Sequence, residues 1–242
     1  MAAEEIVEMF EVEQTHWWYR GMRRNSRAIL ERYLAPGRTY QLLDAGSGTG
    51  GNTLDLQRWG VVTGLDYSVD SLRFSASRGL RRLVRGTIEA LPFRDESFDV
   101  VTSFDVICHG AVRDDLNALR EFRRVLRPGG IALVRLPAFG WLWGAHDRAV
   151  HTVRRYSASQ LAERMRQAGF AVLEATYGNV LLFPLAVAKR WSERLFPSAP
   201  TDLTIPPKLV NLAFEGALRL EAPLSRVVKP PAGLSAVAVG RR

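Results

Sequence analysis

The sequence predicts an α/β protein built on a parallel sheet with helices on both faces, and two observations carry that prediction. From Gln41 onward, short apolar runs alternate with helix-like stretches, the pattern of strands buried between two helical layers. Two of these runs also end alike. Residues 41–51, QLLDAGSGTGG, close on Asp44 and a glycine-rich turn, and residues 61–66, VVTGLD, close on Asp66 about twenty residues after Gly46. Glycines at 46, 48 and 50 allow positive φ and carry no Cβ, so the backbone can approach a bound molecule before a helix opens near Gly50. Gly46, Gly48 and Gly51 also satisfy the G-x-G-x-x-G pattern, and a carboxylate at 66 suits ribose hydroxyls in either a dinucleotide or an adenosyl site.

Taken in order, residues 2–34 read as two helices parted near Thr15. They carry His16, Trp17, Trp18 and Tyr19, large rings that can anchor a docked helix. Arg20, Arg23, Arg24 and Arg27 follow at helical spacing and read as a solvated face. Strands are expected at 41–44, 61–66, 82–86, 98–104 and 130–136, with helices at 50–59, 69–78 and 113–126 between them. In the last helix Leu116, Leu119, Phe122 and Leu126 recur every three or four residues with arginines opposite, which makes it an amphipathic cover. Arg127, Pro128, Gly129 and Gly130 should stop it and turn the chain into the next strand.

Residues 140–156, GWLWGAHDRAVHTVRRY, follow the fifth strand at the carboxyl edge, where open parallel sheets hold ligands. The loop is too polar for core and too aromatic for a linker, so it reads as a substrate wall. His146 and Asp147 lead the candidates, with Arg155 and Tyr156 behind them and Trp143 also on the substrate wall. The alternative is that His146 and Asp147 bond loop backbone and organise the turn. A capped helix at 157–168 and a sixth strand at 170–177 precede an insertion, 179–232, of apolar and proline-broken helices, and a last strand lies at 234–239. The insertion opens with NVLLFPLAVAKRW, apolar first and basic after, so 179–196 could lie on a membrane surface; packing over the substrate mouth or forming a dimer face is the more common use of such an insert.

The 242 residues suffice for one domain with a sizeable core. A formal charge of +8 is carried mostly by arginines scattered along the helices, with lysine only at 189, 208 and 229. That reads as a solvated surface rather than a dense anion-binding arm. Cys108 is the only cysteine, which excludes an intrachain disulfide or a cysteine-rich zinc site and suits a reducing cytosol, so a cytoplasmic location is expected. The first residues are acidic and helix-like, not charged-then-apolar, and no run reaches eighteen uncharged residues, so neither a leader nor a membrane span is expected.

Further on, ALPFRDESFDVV at 90–101 and REFRRVLRPGG at 120–130 complete a set. With residues 41–66, these segments resemble the class I S-adenosylmethionine-dependent methyltransferases, in the small-molecule branch with an ALPF…SFDVV…RVLRPGG core. The likeness is close over 41–136 and looser outside. It implies a Rossmann-like seven-stranded methyltransferase sheet with helices on both faces, an N-terminal helical lid, a helical insertion before the last strand, and a final strand entering antiparallel between the fifth and sixth. The expected layout is a single methyltransferase domain over 1–242, divided into a cap (1–38), a cofactor-binding core (39–178), the insertion (179–232) and the last strand (233–242).

The resemblance further implies S-adenosyl-L-methionine as cofactor. Asp44 and the backbone of Ala45, Gly46, Ser47, Gly48 and Gly50 would surround its methionine end, with Asp66 on the ribose, Tyr67 against the adenine, and Thr87, Ile88 and Phe104 completing the seat. Many relatives have an aspartate where Thr87 stands, meeting the adenine amino group; threonine cannot supply that charge. They also tend to carry glutamate then histidine after the fourth strand, where this chain has Cys108 then His109. A lid over the cofactor would turn Trp17, Trp18 and Tyr19 toward substrate, and anchoring of the helix by those rings is the equal alternative.

Methyl transfer from a sulfonium is an in-line displacement with an already activated donor, so the protein must align the partners and exclude water, and no metal is called for. A base matters only for an acceptor that must lose a proton. His109, just past the fourth strand, is the first candidate for base or acceptor-orienting group. His146, with Asp147 to fix its tautomer, is the second. The expected activity is methylation of a small molecule or of a lipid or secondary-metabolite precursor, oxygen being expected ahead of nitrogen or carbon, by a monomer or homodimer. The second reading is a methyltransferase or binding protein directed at RNA or other nucleic acid; FDVICHG lacks the Asn/Asp-Pro-Pro-aromatic turn of base-amine methylators and no binding domain is appended. A nicotinamide oxidoreductase, the third, lacks a second nucleotide half.

Overall fold

The computed structural model describes residues 3–195, 206–224 and 230–242, so parts of the expected insertion, 196–205 and 225–229, lie outside the described residues. Seven strands form one sheet in the order β3-β2-β1-β4-β5-β7-β6: β1 (Tyr40–Ala45), β2 (Gly60–Asp66), β3 (Leu83–Arg85), β4 (Phe98–Phe104), β5 (Leu126–Pro137), β6 (Ala171–Gly178) and β7 (Ser235–Arg241). The first five are parallel where they pair, and β7 runs against both β5 and β6. The chain reverses its direction of winding between β1 and β4, which leaves a crevice at their carboxyl ends.

Two apolar layers fill the sheet faces, one around Leu43, Val101, Phe122 and Val134, the other around Leu42, Val100, Leu133 and Leu30. Alternation along β1 therefore sends Leu42 and Leu43 to opposite faces, as a doubly covered strand requires. The covering helices are α3 (Gly51–Leu56), α4 (Val69–Ser77), α5 (Asp115–Val125) and α7 (Ala158–Gln167). Ser68, Asp114 and Ser157 cap α4, α5 and α7 with side-chain acceptors, which is why these helices start where they do.

One junction differs from expectation. Helix α5 stops at Val125, and Arg127, Pro128, Gly129 and Gly130 lie within β5 instead of forming a separate turn. Phe98 pairs with Leu126 and Val100 with Ile131, so this stretch is a bulge opposite the single residue Asp99. Arg127 and Arg38 both reach the Asp99 carboxylate and tie the bulge down.

Before the sheet stand α1 (Ala3–Val12) and α2 (Trp17–Leu30), and after the short α6 (Ala145–Ala149) and α7 come the insertion helices α8 (Phe183–Leu195) and α9 (Lys208–Leu224). Helix α9 lies on α2 through the buried Leu218, which packs against Gly21, and through polar contacts. Asn211 accepts the Trp17 amide at 2.9 Å, and Glu215 meets Arg24 at 2.7 Å and Arg20 at 3.0 Å. Glu221 is buried, accepting the Asn25 side-chain amide and the backbone amides of Asn179 and Val180. Cap and insertion, far apart in sequence, thus form one roof over the carboxyl edge. No helix among the described residues is long and apolar enough to cross a membrane.

Candidate active site

Under that roof is a cavity of about 680 Å³, bounded by the glycine-rich turn, the ends of β2 and β4, the 140–156 loop, α1, α2 and the insertion. Its floor is set by the turn after β1. Gly46, Gly48 and Gly50 all have positive φ, and a Cβ on Gly46 would run into Val106. Asp66, at the end of β2, accepts the amides of Gly48 at 2.8 Å and Ser68 at 2.9 Å, so its carboxylate is fixed at the cavity edge beside the turn. Burial pushes its pKa up, partly offset by those amides.

Gly46, Ser47, Gly48, Asp66, Tyr67, Thr87, Ile88 and Phe104, all expected cofactor residues, line the cavity. Three expected cofactor residues do not. Asp44 is buried one layer below, its carboxylate taking the hydroxyls of Thr53 at 2.7 Å and Thr102 at 3.0 Å, and burial raises its pKa to about 6. Ala45 is fully buried and accepts the Ser103 hydroxyl through its carbonyl. Gly50 caps α3 against Leu80 and Ser75, where a side chain would not fit. These residues shape the turn from beneath.

The opposite side of the cavity is aromatic. Trp17, Trp18 and Tyr19 face it from α2, and Trp17 meets Phe214 of α9 edge to face at 5.1 Å. His16 caps α2 by accepting the Trp18 amide. Burial raises the Tyr19 pKa, with Glu13 and Asp105 adding to the effect, so its hydroxyl stays protonated.

His109 and His146 both line the cavity. The Nδ1 atom of His109 accepts the Ala111 amide at 3.0 Å, and burial, with His151 nearby, lowers its pKa. A neutral ring held this way carries its proton on Nε2, which makes it a hydrogen-bond donor. The expected pairing of Asp147 with His146 is corrected by the structure. Asp147 is buried with both oxygens on Arg155, at 2.8 and 3.0 Å, and one also accepts the Gly144 amide that starts α6. The third nitrogen of Arg155 donates to the Ala138 carbonyl, so Asp147 and Arg155 form a clasp that shapes the loop. Tyr156 is buried in the core and donates to Asp115, and Trp143 is half-buried off the cavity wall. Neither stands on the substrate wall.

Two features escape a reading of the sequence alone. Glu13 and Met9 reach the cavity from the N-terminal segment. Asp105, just past β4, holds a positive φ of 61°, and its Oδ2 takes Nε and Nη2 of the buried Arg135. Both residues line the cavity. The available signal was the lone arginine in the apolar run IALVRLP.

A methyltransferase-domain family model matches residues 43–134. Over a longer span, a demethylmenaquinone methyltransferase of Roseiflexus castenholzii is 32% identical over 200 residues, covering 69% of this chain and 82% of the relative. The chain belongs to the class I S-adenosylmethionine-dependent methyltransferases. A malonyl-[acyl-carrier protein] O-methyltransferase of Pseudescherichia vulneris is 35% identical over 153 residues, 59% of each chain. Two further curated relatives, from Encephalitozoon cuniculi and Mycolicibacterium smegmatis, are covered over only 56% and 63% of their length. In fold, the methyltransferase superposes on an S-adenosylmethionine-dependent methyltransferase from Thermotoga maritima with a TM-score of 0.62 at 22% identity, over 98% of this chain and 95% of the other.

The residues present fit the cofactor of that family. The glycine cradle has no room for a Cβ at Gly46, the buried Ser47 hydroxyl has no hydrogen-bond partner among the described residues, and Asp66 presents a carboxylate at the edge.

Proposed function

We propose that this chain transfers a methyl group from S-adenosylmethionine to an oxygen atom of a small, largely apolar molecule, such as a lipid or secondary-metabolite precursor. The observation that carries this reading is the continuity of one cavity from Gly46, Gly48 and Asp66 to Trp17, Trp18 and Phe214. One end suits a polar nucleoside, and the other an apolar acceptor. The names of two relatives, a demethylmenaquinone methyltransferase and a malonyl-[acyl-carrier protein] O-methyltransferase, support a small acceptor, and the second an oxygen.

When bound, the cofactor supplies an activated methyl on a sulfonium. Asp66 would hold the ribose hydroxyls, the amides of the turn would surround the methionine end, and Tyr67 would lie along the adenine. The chain's remaining task is to align and dry the acceptor. Trp17, Trp18 and Phe214 exclude water, and His109, with its proton on Nε2, orients an acceptor oxygen by donating to it. In this arrangement the acceptor arrives ionised or weakly basic, and His109 does not remove its proton.

An aromatic-walled cavity beneath the α2–α9 roof favours a small molecule over a nucleic-acid strand, which needs an open basic track. A thermal-shift titration with S-adenosylmethionine, S-adenosylhomocysteine and NAD tests the cofactor. The first two should raise the melting temperature; a response to NAD alone defeats the proposal. Transfer of labelled methyl to phenol, carboxylic acid and amine probes then tests the acceptor, with phenols or acids expected to be labelled.

A further inference from the structure

Helix α9 carries apolar side chains on both sides. Its inward side sets the buried Leu218 against Gly21 and Phe214 against Trp17, with Asn211, Glu215 and Glu221 bonded to α2 and to the start of the insertion. Its outward side is apolar: Leu209 is 81% exposed and Leu220 70%, and Leu212 and Ala213 lie between them on the same helical stripe. Helix α8 adds Leu185 and Trp191, the latter 61% exposed. Of the twelve large hydrophobic side chains exposed among the described residues, seven fall between 181 and 220, so exposed apolar surface is concentrated on the insertion instead of being spread evenly over the chain.

This apolar surface borders the mouth of the cavity. Leu185 is exposed and also lines the cavity, and Phe214, on α9, faces the interior. Cations rim it: Lys189 and Arg219 have side chains more than half exposed, and Lys208 is exposed at the start of α9. Glu193 and Glu215 pair with Lys189 and Arg219, and the chain as a whole carries +8.

We propose that the outer faces of α8 and α9 dock on an anionic lipid bilayer and set the cavity mouth against it. Leucines and an interfacial tryptophan ringed by lysine and arginine match the boundary between acyl chains and acidic headgroups. A second copy of the chain is the other occupant such a face could take, and the oligomeric state in the test below separates the two. The proposal deepens the reading of a lipophilic acceptor and rests on it: Leu185 bridges outside and inside, so an apolar molecule can pass from bilayer to cavity without crossing water.

The test is flotation of the full chain with phosphatidylcholine vesicles and with phosphatidylcholine–phosphatidylglycerol vesicles, alongside a Leu209→Glu/Leu212→Glu/Leu220→Glu variant and a Trp191→Ser variant. The wild type should float with the anionic vesicles and less with the neutral ones. The triple variant should partition roughly tenfold less, and Trp191→Ser should show a smaller loss. Light scattering and an S-adenosylhomocysteine thermal shift accompany every sample. The proposal is overturned if the wild type stays at the bottom with anionic vesicles, if both variants float as it does, or if the wild type is a dimer that the triple variant converts to monomer. Flotation without a response to S-adenosylhomocysteine would instead defeat the functional reading and leave the docking face standing.

Discussion

Thr49, in the glycine-rich turn, donates its hydroxyl to the buried carboxylate of Glu13 at 2.6 Å. The same Glu13 oxygen takes Arg78 at 2.7 Å, and Arg78 also donates to the Phe10 and Thr49 carbonyls. The end of α1 is therefore latched to the turn and to the end of α4, while Ile6 and Met9 of α1 face the cavity. A helix placed there must move for ligand to enter or leave.

Glu13→Ala should leave Arg78 without its carboxylate and cost about 2 kcal/mol of stability, since burial already pushes the Glu13 carboxyl up and offsets part of what the pair contributes. Protease cleavage between α1 and α2 should quicken, and S-adenosylhomocysteine should dissociate several-fold faster in stopped flow. An unchanged dissociation rate, with cleavage accelerated, would show that α1 does not gate the cavity.

Asp44 yields a pH prediction of definite sign. Its folded pKa is raised from 3.8 to about 6 by burial, so between those values the folded protein binds a proton that the unfolded chain releases. Stability therefore falls as pH rises through that window, and at roughly 1.36 kcal/mol per pH unit the loss is on the order of 3 kcal/mol. Asp44→Asn keeps the shape and the Thr53 and Thr102 contacts. It should be more stable than wild type in urea at pH 7.5, by an excess that falls to about 1 kcal/mol at pH 4.5. Parallel stability curves at the two pH values would show that Asp44 is ionised at little cost.

The sheet was legible because its signals are local. Each strand is a short apolar run, and glycines or capping residues mark where helices begin. The floor of the cavity was legible too, since Gly46, Gly48 and Asp66 lie at strand ends whose spacing fixes them. The roof was not. Glu215 with Arg24, and Glu221 with Asn25, join positions nearly two hundred residues apart, and nothing in the periodicity of either segment announces the other. The 140–156 loop misleads for a related reason. Asp147 beside His146 suggests a pair, but α6 turns the carboxylate back to Arg155, eight residues on.

Asp66 braces the turn as well as facing the cavity, so its removal has two separable effects. Asp66→Ala frees the Gly48 and Ser68 amides and should weaken S-adenosylhomocysteine binding by about 1.5–3 kcal/mol, roughly ten- to a hundred-fold in Kd. Asp66→Asn retains one acceptor and should lie between. Calorimetry at fixed salt measures both. Equal affinity in all three proteins would place the ribose elsewhere.

Arg135 is a buried guanidinium on a central strand, stacked over Phe104 at 4.7 Å and paired with Asp105 at 2.7 Å. Removing Asp105 leaves a positive charge in a low-dielectric site. The Asp105 side chain is 35% exposed, so the cost should be about 2 kcal/mol, below the 3–5 kcal/mol expected for a fully buried pair. Asp105→Ala should therefore lower the melting temperature, and Asp105→Ala/Arg135→Met should recover at least half of that loss, because the second change removes the stranded charge. Asp105 also lines the cavity, so the double variant should keep its thermal response to S-adenosylhomocysteine yet lose methyl transfer to any acceptor probe the wild type accepts. A double variant less stable than Asp105→Ala would show that Arg135 contributes by packing rather than by charge.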